Sequence, residues 1–218
     1  ELEGNVEAIT FASRGEPTMN KAFIDMLDYC NGKFLGLKMN TNASLLNEKL
    51  IHKILSSDLQ TIVFSIDSAN KENYEKIRVN GNFERVMKNL ELFNKIKKEN
   101  YSDTKKIIRV SGVKINDEQN IEQMNDQWKK FADIIAFTNY IPWESSYEND
   151  LNEISSPCKE LWTRTFVWYD GKVNPCDFDY KSMLSKWNIK FSSIGEIWNS
   201  QEYNHLRQYH INNLRSQI

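Results

Sequence analysis

Over the first two-thirds of the chain, short apolar runs alternate with stretches whose apolar residues recur at helical spacing. Val6–Ala12, Phe34–Met39, Gln60–Ile66, Lys105–Ile115 and Asp133–Tyr140 read as strands. Between them, Lys21–Cys30 places Ala22, Phe23, Met26, Leu27 and Cys30 on one helical face. Leu46–Leu55 reads as a second helix, for which Asn42-Ala43-Ser44 offers an N-terminal cap. Asn70–Ile77 is a short helix. Phe83, Val86, Leu90 and Phe93 mark a long one that ends in the solvated run Lys95–Lys98, and Ile121–Phe131 is a fifth. Apolar strands alternating with helices predict parallel β/α units, so the fold class is α/β: a partial barrel or an open sheet. The pattern changes near Trp143. A polar stretch over Glu148–Ser156 leads to a cysteine-bearing hairpin and a last helix over Ile194–His210. These changes predict two domains, residues 1–156 and 157–218.

Charge narrows the function classes. Twenty-eight Lys and Arg face 30 Asp and Glu, a net charge of −2. That balance gives no basic field for nucleic acid or an anionic membrane. The longest apolar run, Thr61-Ile62-Val63-Phe64, has strand length and predicts no membrane span. Three cysteines, an odd number, argue against a disulfide framework and for a reducing, cytoplasmic setting. The opening Glu1-Leu2-Glu3-Gly4 carries neither an initiator Met nor a signal pattern, and both ends read as cut from a longer protein.

In parallel β/α sheets, ligands gather at the carboxyl ends of the strands. The first strand runs into Ser13-Arg14-Gly15-Glu16-Pro17, the second into Asn40-Thr41-Asn42, the third into Ser65-Ile66-Asp67-Ser68. The fourth carries Arg109, Ser111 and Val113 on one alternating face, and Arg78 closes the short helix after strand three. Each has an ordinary reading. Gly15-Glu16-Pro17 makes a turn with a helix-starting proline. Asn42 and Asp67 make helix caps, and Arg78 pairs with a neighbouring carboxylate. Four successive polar strand ends together favour a site for a ligand bearing hydroxyls, an ammonium and a carboxylate.

Cys158 and Cys176 lie at the two ends of a ribbon that a tight Asp170-Gly171 turn folds back on itself. Two nearby thiolates make half of a four-cysteine iron–sulfur or zinc site. Cys30, on an apolar helix face, reads as core. Trp162, Trp168 and Trp198 read as core around the hairpin. His52, His205 and His210 are dispersed, and a zinc site would need His205 or His210 to meet the cysteines. Asp177 and Asp179 read equally as substrate contacts or turn residues. Asn139 and Trp143 are candidates to face a substrate cavity.

The order of these motifs resembles the radical S-adenosylmethionine superfamily: Gly-Glu-Pro, then Thr-Asn, then Ser-x-Asp, then Tyr74-x-x-x-Arg78. The segment Cys158–Gly171–Cys176, C-x12-G-x4-C, is similar to the opening half of the SPASM auxiliary-cluster domain. The resemblance implies a partial (β/α) barrel followed by the start of a SPASM domain, and S-adenosylmethionine and [4Fe–4S] clusters as cofactors. It implies that Gly15, Glu16 and Pro17 hold the cofactor's amino group and that Thr41 and Asn42 line its site. Ser65 and Asp67 would take the ribose hydroxyls, Arg78 the methionine carboxylate, and Ser111 and Val113 would border the adenine. Cys158 and Cys176 would ligate an auxiliary cluster. The implied reaction is reductive cleavage of S-adenosylmethionine and hydrogen abstraction from a peptide or small-molecule substrate, with a flavodoxin or ferredoxin as electron donor. The chain departs from the family pattern in several places. The C-x3-C-x2-C motif of the radical-generating cluster is absent, as are the later auxiliary cysteines. Arg14 and Ser68 stand where glycines are usual, and Ser185-Lys186-Trp187-Asn188 stands where a Gly-Asn turn is common. Truncation explains the missing cysteines most simply, and the fragment alone is expected to be inactive. Two rivals remain: a different β/α-barrel enzyme with Glu16 and Asp67 as acid and base, and a cluster-less binding or scaffold remnant.

Overall fold

The computed structural model describes residues 1–142, 146–147 and 156–217. Trp143 and residues 148–155 of the polar stretch lie outside the described residues. The chain divides into two compact units, Glu3–Tyr140, and Ile141–Ile218 together with Glu1–Leu2.

The larger unit is a five-stranded, all-parallel sheet in sequence order: β1 (Ala8–Phe11), β2 (Gly36–Thr41), β3 (Thr61–Ser65), β4 (Ile107–Lys114) and β5 (Ile134–Asn139). Helices α1 (Phe23–Cys30), α2 (Glu48–Ser56), α3 (Lys71–Ile77), α4 (Phe83–Asn100) and α5 (Ile121–Trp128) connect the strands. This is the α/β class of parallel β/α units that the alternation predicts. Strand residues point alternately to the two faces of a sheet, and here the faces differ sharply. Leu37, Met39, Ile62, Phe64, Ile66, Ile108 and Val110 are buried in one core with Phe23, Leu27, Ile51, Ile54, Val86, Leu90, Phe93, Met124 and Trp128 of the helices. Phe64 meets Phe93 edge-on, with ring centroids 5.1 Å apart. Burying each such side chain contributes about 1.5–3 kcal/mol, which is what holds the helical layer on the sheet. The opposite face carries Lys38, Asn40, Thr61, Ser65, Arg109, Ser111, Ala136 and Thr138. Gly112 is fixed by packing, because a Cβ there would come within 2.5 Å of the Ile66 carbonyl oxygen and 2.9 Å of the Phe137 ring.

Several expectations are corrected. The cap of α2 is Asn47, whose side chain accepts from Leu50 N, rather than Asn42-Ala43-Ser44. Asn70 caps α3 by accepting from Asn73 N, so Asp67 is not that cap. The last helix is two, α7 (Ile194–Trp198) and α8 (Gln201–Ile211), following the four-residue α6 (Glu160–Thr163). Ser193 and Glu196 form a capping box on α7, and Ser200 caps α8 through Tyr203 N, which breaks the run between them. Asn139 shares the parity of Ile135 and Phe137 on the helix-covered side, so Thr138 takes the polar face at the end of β5.

In the smaller unit, β6 (Phe166–Val167), β7 (Lys172–Asn174) and β8 (Trp187–Asn188) form an antiparallel ribbon. The hairpin loop is Trp168–Gly171, closed by Gly171 N to Trp168 O at 2.9 Å, with Gly171 at φ +86°. The expected two-residue Asp-Gly turn is thus a longer loop whose last residue takes the left-handed conformation that glycine adopts without strain. Leu161, Val173, Ile197 and Tyr203 make a small separate core, with Trp187 and Trp198 against it.

Candidate functional site

The ends of the first two strands meet on one carboxylate. Glu16 begins the 3-10 turn Pro17–Met19, with Pro17 at its first position. Its Oε1 accepts from Thr18 N at 3.2 Å, Thr18 Oγ1 at 2.6 Å and Thr41 Oγ1 at 2.7 Å, while Oε2 accepts from Asn42 N at 2.7 Å. The β2–α2 turn is held further by Asn89, whose Nδ2 donates to Ala43 O at 2.8 Å and Ser44 O at 3.1 Å. Ala43 has φ 61° within this pinned turn. A Cβ built on Gly15 would meet nothing within 4 Å, so the backbone there faces open space.

The ends of β3 and β4 meet on a second carboxylate. Asp67 is 5% exposed. Its Oδ2 accepts from Arg78 Nε at 2.7 Å and its Oδ1 from Val113 N at 2.8 Å. Gln119, itself buried, donates from Nε2 to the carbonyls of Asp67 and Val113 and accepts at Oε1 from Ile115 N and Asn116 N. Ser65 and Ser111 are paired across β3 and β4. The ten residues singled out at the strand ends therefore fall into two groups. Gly15, Glu16, Pro17, Thr41 and Asn42 lie around the first carboxylate. Asp67, Arg78 and Val113 lie around the second, with Ser65 and Ser111 beside it. Asn89 and Gln119 do the stapling and were not among the sequence candidates. Both sit in ordinary polar contexts, a helix surface and a loop, and only the distant backbone carbonyls they meet give them their role.

Cys158 and Cys176 lie in the smaller unit as free, half-buried thiols. Burial pushes the Cys176 thiol up, while amides of Phe178 and Asp179 directed at its sulfur pull it down and nearby Cys158 raises it. Backbone amides aimed at a sulfur favour the thiolate that a metal requires. Cys158 N donates to Nδ1 of His210 at 3.2 Å, and burial pushes the His210 imidazole below its ordinary value. His210 thus meets Cys158 through the backbone. Among the described residues, no group of three or more His, Cys, Asp or Glu is placed to hold a metal ion. The buried Asp179 is a turn residue: it accepts from Tyr147 Oη, Met183 N and Leu184 N, and so fixes the loop after Cys176. Buried Cys30 lies in the main core, as its sequence position predicts.

Comparison with known proteins gives the family. The family model described as the Radical SAM superfamily matches residues 2–125, and that described as an iron-sulfur cluster-binding domain, SPASM, matches residues 158–217. Mycofactocin maturase MftC of Mycolicibacterium smegmatis is 27% identical over 112 residues, 51% of this chain and 26% of that protein. A probable GTP 3',8-cyclase of Methanococcus maripaludis is 26% identical over 174 residues, 76% of this chain and 56% of that protein. Among solved structures, SuiB of Streptococcus suis bound to precursor peptide SuiA superimposes with a TM-score of 0.70 at 15% identity, covering 92% of this chain and 56% of SuiB. AdoMet-bound anSMEcpe gives 0.68 at 17% identity, covering 93% of this chain and 66% of that one. The chain thus spans about a quarter of the maturase and about half of SuiB. No described helix is long and apolar enough to cross a membrane. With the family model matching more than half of its residues, the chain belongs to the radical S-adenosylmethionine superfamily, in its SPASM-domain subgroup.

Proposed function

We propose that this chain carries the S-adenosylmethionine cradle of a peptide-modifying radical enzyme. The observation that carries the reading is the knitting of four strand ends by two carboxylates, Glu16 across β1 and β2 and Asp67 across β3 and β4, beside open space at Gly15. The residues fit the cofactor. Exposed backbone around Gly15 suits an ammonium, and the hydroxyls of Ser65 and Ser111 suit a ribose and its base. Arg78 donates one N–H to Asp67, and the other edge of its fork suits a carboxylate. When bound, S-adenosylmethionine supplies a sulfonium whose reductive cleavage starts hydrogen abstraction.

The metal groups fit less completely. The sequence holds three cysteines, Cys30, Cys158 and Cys176, and no C-x3-C-x2-C. The radical-generating cluster therefore has no ligand set in this chain. Cys158 and Cys176 would contribute two thiolates to an auxiliary [4Fe–4S] cluster. A peptide substrate is favoured because the relatives include a maturase, and SuiB was solved with a precursor peptide. An electron donor such as flavodoxin or ferredoxin would complete the system.

The acid–base alternative is disfavoured by the same geometry. Glu16 accepts four hydrogen bonds and Asp67 one strong donor on each oxygen, so neither is poised to take a proton from a substrate. Equilibrium dialysis with radiolabelled S-adenosylmethionine tests the proposal. Saturable binding, displaced by S-adenosylhomocysteine, is expected without added iron. After iron and sulfide reconstitution, electron paramagnetic resonance is expected to show no S-adenosylmethionine-responsive cluster. Absence of saturable binding overturns the cradle.

A further inference from the structure

The middle of the polar sheet face holds a row with two orphaned atoms. Asn40 on β2, Val63 on β3, Arg109 on β4 and Ile134 on β5 are direct register partners. Partners in register share a face, and this is the face opposite the helices. Arg109 Nε and Asn40 Oδ1 are buried polar atoms that find no hydrogen-bond partner among the described residues. They are the two such atoms located in the strands of this sheet. A buried donor or acceptor left unmade is costly, and a native chain that keeps two in one row has a use for them.

Their chemistry is complementary to one kind of ligand. Arg109 offers a permanent cation with a planar donor fork. Asn40 Oδ1 offers an acceptor. Val63, 3% exposed, is the apolar floor between them. The backbones of β2 and β4 lie two strand spacings apart, roughly 9–10 Å. Asp67 already has both oxygens committed to Arg78 and Val113 and does not compete for Arg109.

We propose that the Asn40–Val63–Arg109 row is a substrate subsite, with Arg109 holding a carboxylate and Asn40 accepting from the adjacent amide N–H. The proposal deepens the reading of the cradle as part of a peptide-modifying site and rests on it. It places the substrate deeper in the sheet than the strand-end residues assigned to the cofactor.

The probes are N-acetylglycine, which carries both groups, and N-acetylglycinamide, which lacks the charge. Binding to the 218-residue chain is followed by calorimetry and by the arginine Nε–H resonances in nitrogen-15 spectra. N-acetylglycine is expected to bind saturably and to move the Arg109 resonance, with the amide at least about tenfold weaker. Arg109→Met and Asn40→Leu are each expected to weaken that binding while leaving S-adenosylmethionine binding intact. Arg109→Met is also expected to unfold no earlier than the parent, since it removes a buried polar atom that lacks a partner. Saturating S-adenosylhomocysteine is expected not to displace the probe. No saturable binding, equal binding of the amide, or tighter binding of inorganic phosphate overturns the subsite. So does displacement by S-adenosylhomocysteine, probe binding retained in Arg109→Met, or a clear drop in that variant's unfolding midpoint. Loss of S-adenosylmethionine binding by the parent chain, with probe binding retained, overturns the cradle and leaves the subsite standing.

Discussion

Nε of Arg78 lies 2.7 Å from Oδ2 of Asp67, and the other oxygen of that carboxylate receives the amide of Val113. The pair closes a triangle between the end of β3, the end of α3 and the end of β4. Asp67 is almost fully buried, whereas the Arg78 side chain keeps 30% of its surface. Removing the cation strands a buried carboxylate. Arg78→Ala is expected to cost about 2–4 kcal/mol in urea unfolding, and pairing it with Asp67→Asn is expected to recover part of that loss. A cost near zero, or no recovery in the double variant, would show that the pair does not hold the rim together.

His210 acts on Cys158 through the backbone. Its Nδ1 is the acceptor, so the ring is neutral in the tautomer protonated at Nε2. His210→Ala removes a bond worth about 1 kcal/mol, and alkylation of Cys158 by iodoacetamide is expected to quicken by about fivefold. His210→Asn, which keeps an acceptor, is expected to restore most of the protection. Unchanged alkylation in the alanine variant would remove His210 from the seating of this thiol.

Tyr147 sets a pH dependence on the smaller unit. Burial, and then its hydrogen bond to Asp179, push its hydroxyl up to about 12 from an ordinary value of 10.0. The folded value lies above the unfolded one. The contribution to stability is therefore complete below pH about 10 and is lost as pH rises toward about 12. Thermal melts of the parent are expected to fall across that window more steeply than those of Tyr147→Phe. Parallel curves would contradict the assignment.

The sheet and its helices were legible because each strand is an apolar run and each helix has a stripe, and both periods survive in the residues that pack against each other, such as Phe64 on Phe93. The polar strand ends were legible for the same reason, since Thr41 and Asp67 interrupt or end those runs. What stayed hidden depends on single side-chain bonds. Ile194, Ile197, Trp198 and Tyr203 keep a helical rhythm across a break that only Ser200 reveals, by capping a new helix. The strand Trp187–Asn188 is too short for an alternation to register, and it exists because β7 offers it a partner. Glu16 and Asp67 were visible as carboxylates at strand ends. That each accepts on both oxygens from the chain's own donors, and so anchors the site, follows only from the distances.

Gly15 is where a small change separates binding from folding most cleanly. Its backbone has no positive φ to defend, and a Cβ added there meets nothing within 4 Å beyond its chain neighbours. Dialysis of radiolabelled S-adenosylmethionine against the parent and Gly15→Val compares them directly, with melting temperatures as the control. The cradle requires unchanged melting and an affinity lowered by about tenfold or more, because the new methyls occupy ligand space. Equal affinity in the two chains would mean that the cofactor does not lie against this turn.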